Sequence, residues 1–247
     1  MAAVEKTKAF YRFNQRCAYF ETDLELCDLL VRNFIGLDDS INIIAVALKS
    51  TKKDHPKLTQ KNTKNSRQVR GGHLRATLNS SFIKDIYEDF LEFLSETMAR
   101  AAQKGVDPGR FAGDVKLDIK VTEIMATGSW DGVVRLVSDK IFCNLESERK
   151  TTNLITKAAN RLGLNVNQQV LEAAMPYLDA RHMLVHQDGK VDTKFREKYP
   201  DIVVKNNKLI IDSEFTRKAR ETIEELARTI DQEVIAAGLV KPEHMCP

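Results

Sequence analysis

The sequence predicts an all-α protein, a helical bundle carrying a small β-hairpin near the C-terminus. Three patterns carry that expectation. Leu74, Leu78, Phe82, Ile86, Phe90, Leu94 and Met98 succeed one another every four residues, as the buried stripe of a long helix does. Phe215, Ala219, Ile223, Leu226, Ile230 and Val234 show the same helical spacing further along. Residues 202–211 instead hold two β-rich runs around Asn206-Asn207, a pair that tolerates positive φ and so suits a hairpin turn.

Taken in order, Phe20, Leu24, Cys27, Leu30 or Val31, and Phe34 follow helical spacing. Gly36 interrupts it and the apolar run 41–48 resumes it, which predicts a broken helix or a helical pair. Residues 49–75 carry nine Lys/Arg against one acid, Asp54, with Pro56, Gly71 and Gly72. That stretch reads as a loop or frayed extension, either a solvated connector or a contact for an RNA backbone. The stripe from Leu74 then runs to Gly105, a suitable C-cap, with Asp85, Glu88 and Asp89 on its polar side. Those acids either form a solvated face or supply a carboxylate to an arginine elsewhere. Asp107-Pro-Gly reads as a turn, and 115–121 alternates apolar and polar residues like an exposed strand.

Trp130-Asp131 opens a helix through Val134, Ile141 and Leu145, with Trp130 as a core or interface anchor rather than a base-stacking platform. Thr151, Leu154, Ile155, Ala158 and Leu162 mark another helix, stopped by Gly163. Asn165-Val-Asn-Gln starts the helix leading into residues 176–189, and Ser213 caps a final helix ending at Gly238. The expected organisation is one domain: residues 1–73 as an N-terminal helical segment plus the basic loop, and 74–238 as the helical core.

Composition narrows the classes of function. A 247-residue chain with 43% hydrophobic residues can bury a sizeable core. Its net charge of +3 lacks the whole-molecule basic footprint of a simple DNA-binding protein, so any nucleic-acid affinity must come from local clusters. Cys17, Cys27, Cys143 and Cys246 are scattered, without a CxxC pair, as reduced cytosolic thiols would be. There is no secretory signal and no apolar run near the ~20 residues of a membrane span, so a cytoplasmic protein with no membrane partner is expected.

The chemistry concentrates in residues 176–189, PYLDARHMLVHQDG. Leu178, Val185 and either Met183 or Leu184 give this helix an apolar side, while Asp179, Arg181, His182 and His186 gather elsewhere. Pro176 either opens the helix or kinks a longer one, and Gly189 suits a left-handed C-cap. No Gly-rich phosphate loop, GxSxG elbow or Cys-His framework is present. His182 and His186 have the spacing of two zinc ligands, but Met-Leu-Val separates them without a Glu, and no further His or Cys stands nearby. No metal and no cofactor are therefore expected. Arg181 and His186 are better matched to a phosphodiester: a guanidinium holds phosphate while an imidazole moves a proton. The plainer alternative is a surface Arg and a core or capping His. On an isolated helix two residues five apart lie ~140° apart, so a facing helix or a second subunit must complete such a pocket.

Arg181-His182-Met-Leu-Val-His186, near the end of a late helix in a helical chain, resembles the HEPN superfamily motif, Arg-X4–6-His with a polar residue after the Arg. The continuation to Phe195 and the hairpin after it resemble the RiboL-PSP-like branches, which include ribonucleases of toxin and phage-defence systems. The similarity spans roughly residues 75–235, and its sharp part about fifteen residues. It implies a HEPN-like bundle and a metal-independent endoribonuclease (a hydrolase of toxin-antitoxin or phage-defence type). Arg181 is then the phosphate-binding or orienting arginine, His186 the catalytic histidine and His182 the variable polar position, with Glu88 or Asp85 bracing Arg181. Its implied partners are RNA, a second copy in a homodimer, and an antitoxin or defence-system protein. Family members modified by a partner nucleotidyltransferase carry Tyr two residues after the His, where this chain has Asp188. The rival reading is a non-catalytic HEPN-like module binding RNA, nucleotide or a protein partner.

Overall fold

Two long helices pack side by side at the start of the chain, α1 (Lys8–Gly36) and α2 (Lys64–Lys104). After them come α3 (Pro108–Ala112), α4 (Val121–Ala126), α5 (Trp130–Glu146), α6 (Thr151–Leu162), α7 (Gln168–His186) and α8 (Thr193–Lys198). A hairpin of β1 (Val204–Lys205) and β2 (Lys208–Leu209) precedes α9 (Ser213–Ala236) and a short 3₁₀ turn, Pro242–His244. The computed structural model describes residues 5–38, 49, 53–57 and 63–247, and over these the protein is mostly helical with one small hairpin. No helix among the described residues is long and apolar enough to cross a membrane.

α2 is the spine, with α1, α5, α7 and α9 packed on it. Its four-residue stripe points inward as the spacing requires: Phe82, Ile86, Phe90, Leu94 and Met98 are buried, whereas Leu74 is exposed. Phe13 of α1 meets Phe90 of this stripe and Phe10 meets the buried Phe93 beside it, with ring centroids 6.3 Å and 6.2 Å apart in edge-on geometry. On α1, Val31 faces the core and Leu30 faces solvent. The start of α1 is tied to α9 by Thr7, whose N–H and hydroxyl donate to the buried Asp231 carboxylate at 3.1 and 2.5 Å. Burial pushes that carboxyl above its usual range despite both hydrogen bonds.

The basic segment departs from its expectation. Thr63 accepts from the Ser66 N–H, and the chain is helical from Lys64 onward, so residues 64–75 are not a loop and the boundary at 73/74 falls inside α2. Gly71 serves close approach rather than chain breaking. A Cβ there would stand 2.6 Å from Val31 Cγ1, so its absence lets α1 and α2 touch. Arg67 is buried and donates to the carbonyls of Leu37 and Asp38 at the end of α1, and Arg75 pairs with Asp28 at 2.7 Å. Two of the nine charges thus secure the end of α1 rather than solvating a connector. The apolar run 41–48 and most of residues 49–62 lie outside the described residues.

Other corrections are local. Residues 115–120 alternate half-buried and exposed, but no strand among the described residues pairs with them, and Val121 begins α4. Their periodicity reflects chain lying on a surface, not a ladder. Trp130 is 76% exposed at the first position of α5, so it anchors no core. Asp107-Pro-Gly opens the short helix α3, with Asp107 Oδ1 accepting from the Arg110 N–H at 2.7 Å. Asp212, not Ser213, caps α9 by accepting from Phe215. The hairpin turns at Asn206 and Asn207 with φ of 49° and 65°.

Candidate functional site

α7 starts at Asn167, whose side-chain oxygen accepts from the N–H groups of Gln169 and Val170, and it runs unbroken through Pro176 to His186. Leu171, Ala174, Met175, Leu178 and Met183 seat it in the core. Val185 continues the side of Leu171 and Leu178 at seven-residue steps, but at the helix end it is 44% exposed, as are His182 and His186. The chain leaves the helix through Asp188 and Gly189 at φ of 52° and 74°, and the Gly189 N–H returns to the Met183 carbonyl at 2.9 Å. The left-handed stop spans two residues.

Arg181 points away from the histidines, towards α2. Its Nη2 donates to Glu88 Oε1 at 2.5 Å, and its Cζ lies 4.8 Å from the centroid of the Tyr87 ring. An ion pair on one edge and an aromatic face beneath hold the planar group, with no other acceptor for it among the described residues. Asp85, one turn earlier on α2, makes neither a hydrogen bond nor an ion pair with Arg181. Burial pushes the Tyr87 phenol above its usual range.

His182 and His186 lie one turn apart with ring centroids 4.7 Å from each other, and neither ring is hydrogen-bonded to protein among the described residues. Beside them, Asp179 accepts from Lys198 Nζ at 2.9 Å and from the Tyr199 hydroxyl at 2.5 Å. Burial, reinforced by Asp179, raises the Tyr199 phenol far above its usual range and keeps it a donor. Past the helix, Lys208 holds the Asp188 carboxyl below its usual range. Among the described residues, no three His, Cys, Asp or Glu side chains are grouped closely enough to hold a metal ion.

Arg181 is half-buried, whereas His182 and His186 are exposed. A groove of about 660 Å³ lies between α1, α2 and the start of α9, and another of about 680 Å³ lies beside Arg110 and Arg161. Neither is lined by Arg181, His182 or His186. Tyr87 under Arg181, and Lys198 with Tyr199 on Asp179, are contacts the sequence did not disclose, because each joins residues far apart in the chain with no spacing rule between them. No family model, curated protein or solved structure matches the chain at a significant level.

Proposed function

We propose that this protein is a metal-independent endoribonuclease of HEPN type, acting in the bacterial cytoplasm as a toxin or phage-defence effector. The observation that carries the reading is an arginine oriented by Glu88 and Tyr87, carried by the same helix end as two adjacent, exposed imidazoles. Two exposed imidazoles are within reach of a polymer strand.

In this reading one imidazole takes the proton of a ribose 2′-hydroxyl, whose oxygen attacks the adjoining phosphorus. The P–O5′ bond breaks and the departing 5′-oxygen takes a proton from the other imidazole. His186 is the first of these groups and His182 the second. Arg181 stabilises the phosphorane through the planar fork that lysine lacks. The products carry a 2′,3′-cyclic phosphate and a 5′-hydroxyl.

The test is incubation of the purified protein with total RNA in EDTA. Cleavage is expected to persist, and its loss on chelation would replace this mechanism with a metal-activated water. RNA that binds but is never cut would favour the non-catalytic module.

Arg181 lies ~140° around the α7 axis from His186, so a two-fold assembly that places a second α7 against the first would bring the groups together. A homodimer through residues 177–188 is therefore part of the proposal. A species that stays monomeric at micromolar concentration and cleaves at full rate would remove it.

A further inference from the structure

Around the axis of α7, at ~100° per residue, the side chains follow in the order Arg181, His182, His186, Asp179. His182 stands ~100°, His186 ~140° and Asp179 ~160° from Arg181, so Asp179 shares the histidine face. The Asp179 carboxylate holds Lys198 Nζ at 2.9 Å. Asp179 precedes His182 by about one turn and His186 by about two on that face, so the ammonium stands at its N-terminal end, around the axis from Arg181. The helix end thus carries two cations, one on the histidine face and one around the axis from it, and each rests on one carboxylate, Asp179 or Glu88.

We infer that Lys198 is a second phosphate-binding residue, so that a single RNA strand crosses α7 with one phosphate at Lys198 and the scissile phosphate over His182 and His186. This inference rests on the ribonuclease reading. Lys198 comes from α8, and its position is set by more than one contact. Its Nζ sits 4.8 Å from the centroid of the Tyr199 ring, and the Tyr199 hydroxyl itself donates to Asp179. The ammonium has three donors and spends one on Asp179, leaving two for phosphate oxygens. Its side chain is 54% exposed, so a strand can reach it without any rearrangement of the bundle.

The inference is tested by the binding of a 2′-O-methyl RNA oligonucleotide, which lacks the attacking hydroxyl, across a range of salt concentrations. Lys198→Ala is expected to weaken binding by about 10- to 100-fold, the worth of a charge-assisted hydrogen bond. The slope of log affinity against log salt should become shallower by about 0.7, one phosphate contact on a single strand. Lys198→Arg should restore both. A purely structural role for Lys198 would move thermal stability and leave the salt slope alone. An unchanged affinity and slope in Lys198→Ala overturns the inference even if the wild type cleaves RNA and His186→Ala does not. A wild type that binds the oligonucleotide but never cuts the all-ribose strand overturns the ribonuclease reading instead, while the salt slope still decides whether Lys198 holds a phosphate. A wild-type chain that does not bind the oligonucleotide overturns both.

Discussion

Replacing His186 with alanine is expected to lower RNA cleavage by ~10²–10⁴-fold, the usual worth of a general acid or base. Fold and RNA affinity should be nearly untouched. The reason lies in the position of the residue: His186 closes α7, its ring is exposed, and among the described residues its sole ring contact is with His182. Truncation therefore opens no cavity and strands no buried partner. Circular dichroism and a gel-shift assay beside single-turnover kinetics separate the outcomes. A loss of rate matched by a loss of affinity would make His186 a binding residue, and an unchanged rate would place the chemistry elsewhere.

Phe90→Ala is expected to cost about 3–5 kcal/mol, the range for emptying an aromatic site in a packed core. Phe90 is 0% exposed, and it stands against Phe13 at 6.3 Å and Phe93 at 6.2 Å between ring centroids. Neither neighbour can fill the space without leaving its own place in the α1–α2 seam. Against a total stability of about 5–15 kcal/mol, that is a large fraction. Urea unfolding measures it, and a cost below about 1 kcal/mol would mean the seam tolerates the void. The consequence reaches the site, because Tyr87 and Glu88, which orient Arg181, sit on the same helix within one turn of Phe90. Loosening α2 should therefore also lower cleavage in conditions where the variant remains folded.

Readability from the sequence followed the range of the interaction. The stripe from Phe82 to Met98, the Asn206-Asn207 turn and the left-handed exit at Gly189 depend on neighbours within a few residues, and the residues themselves disclose them. Gly71 misled because a glycine that breaks a helix and one that lets another helix approach look alike until the second helix is placed. Residues 115–120 misled because lying half-buried on a bundle produces the same alternation as a strand. The Arg181 and His186 positions were visible as a pattern. The direction in which Arg181 points, and the Asp179–Lys198 pair that adjoins the histidines, were not, since a side chain's partner across the fold has no sequence interval.

The most direct test of the proposed chemistry uses an RNA oligonucleotide with a single 2′-deoxy nucleotide immediately 5′ of the cut site, compared with the all-ribose strand in EDTA. That one change deletes the attacking oxygen and leaves the phosphates that Arg181 and Lys198 would hold. The all-ribose strand is expected to be cut to a 2′,3′-cyclic phosphate and a 5′-hydroxyl, and the substituted strand to remain intact at that bond. Cleavage of the substituted strand at the same bond would contradict attack by the ribose 2′-oxygen.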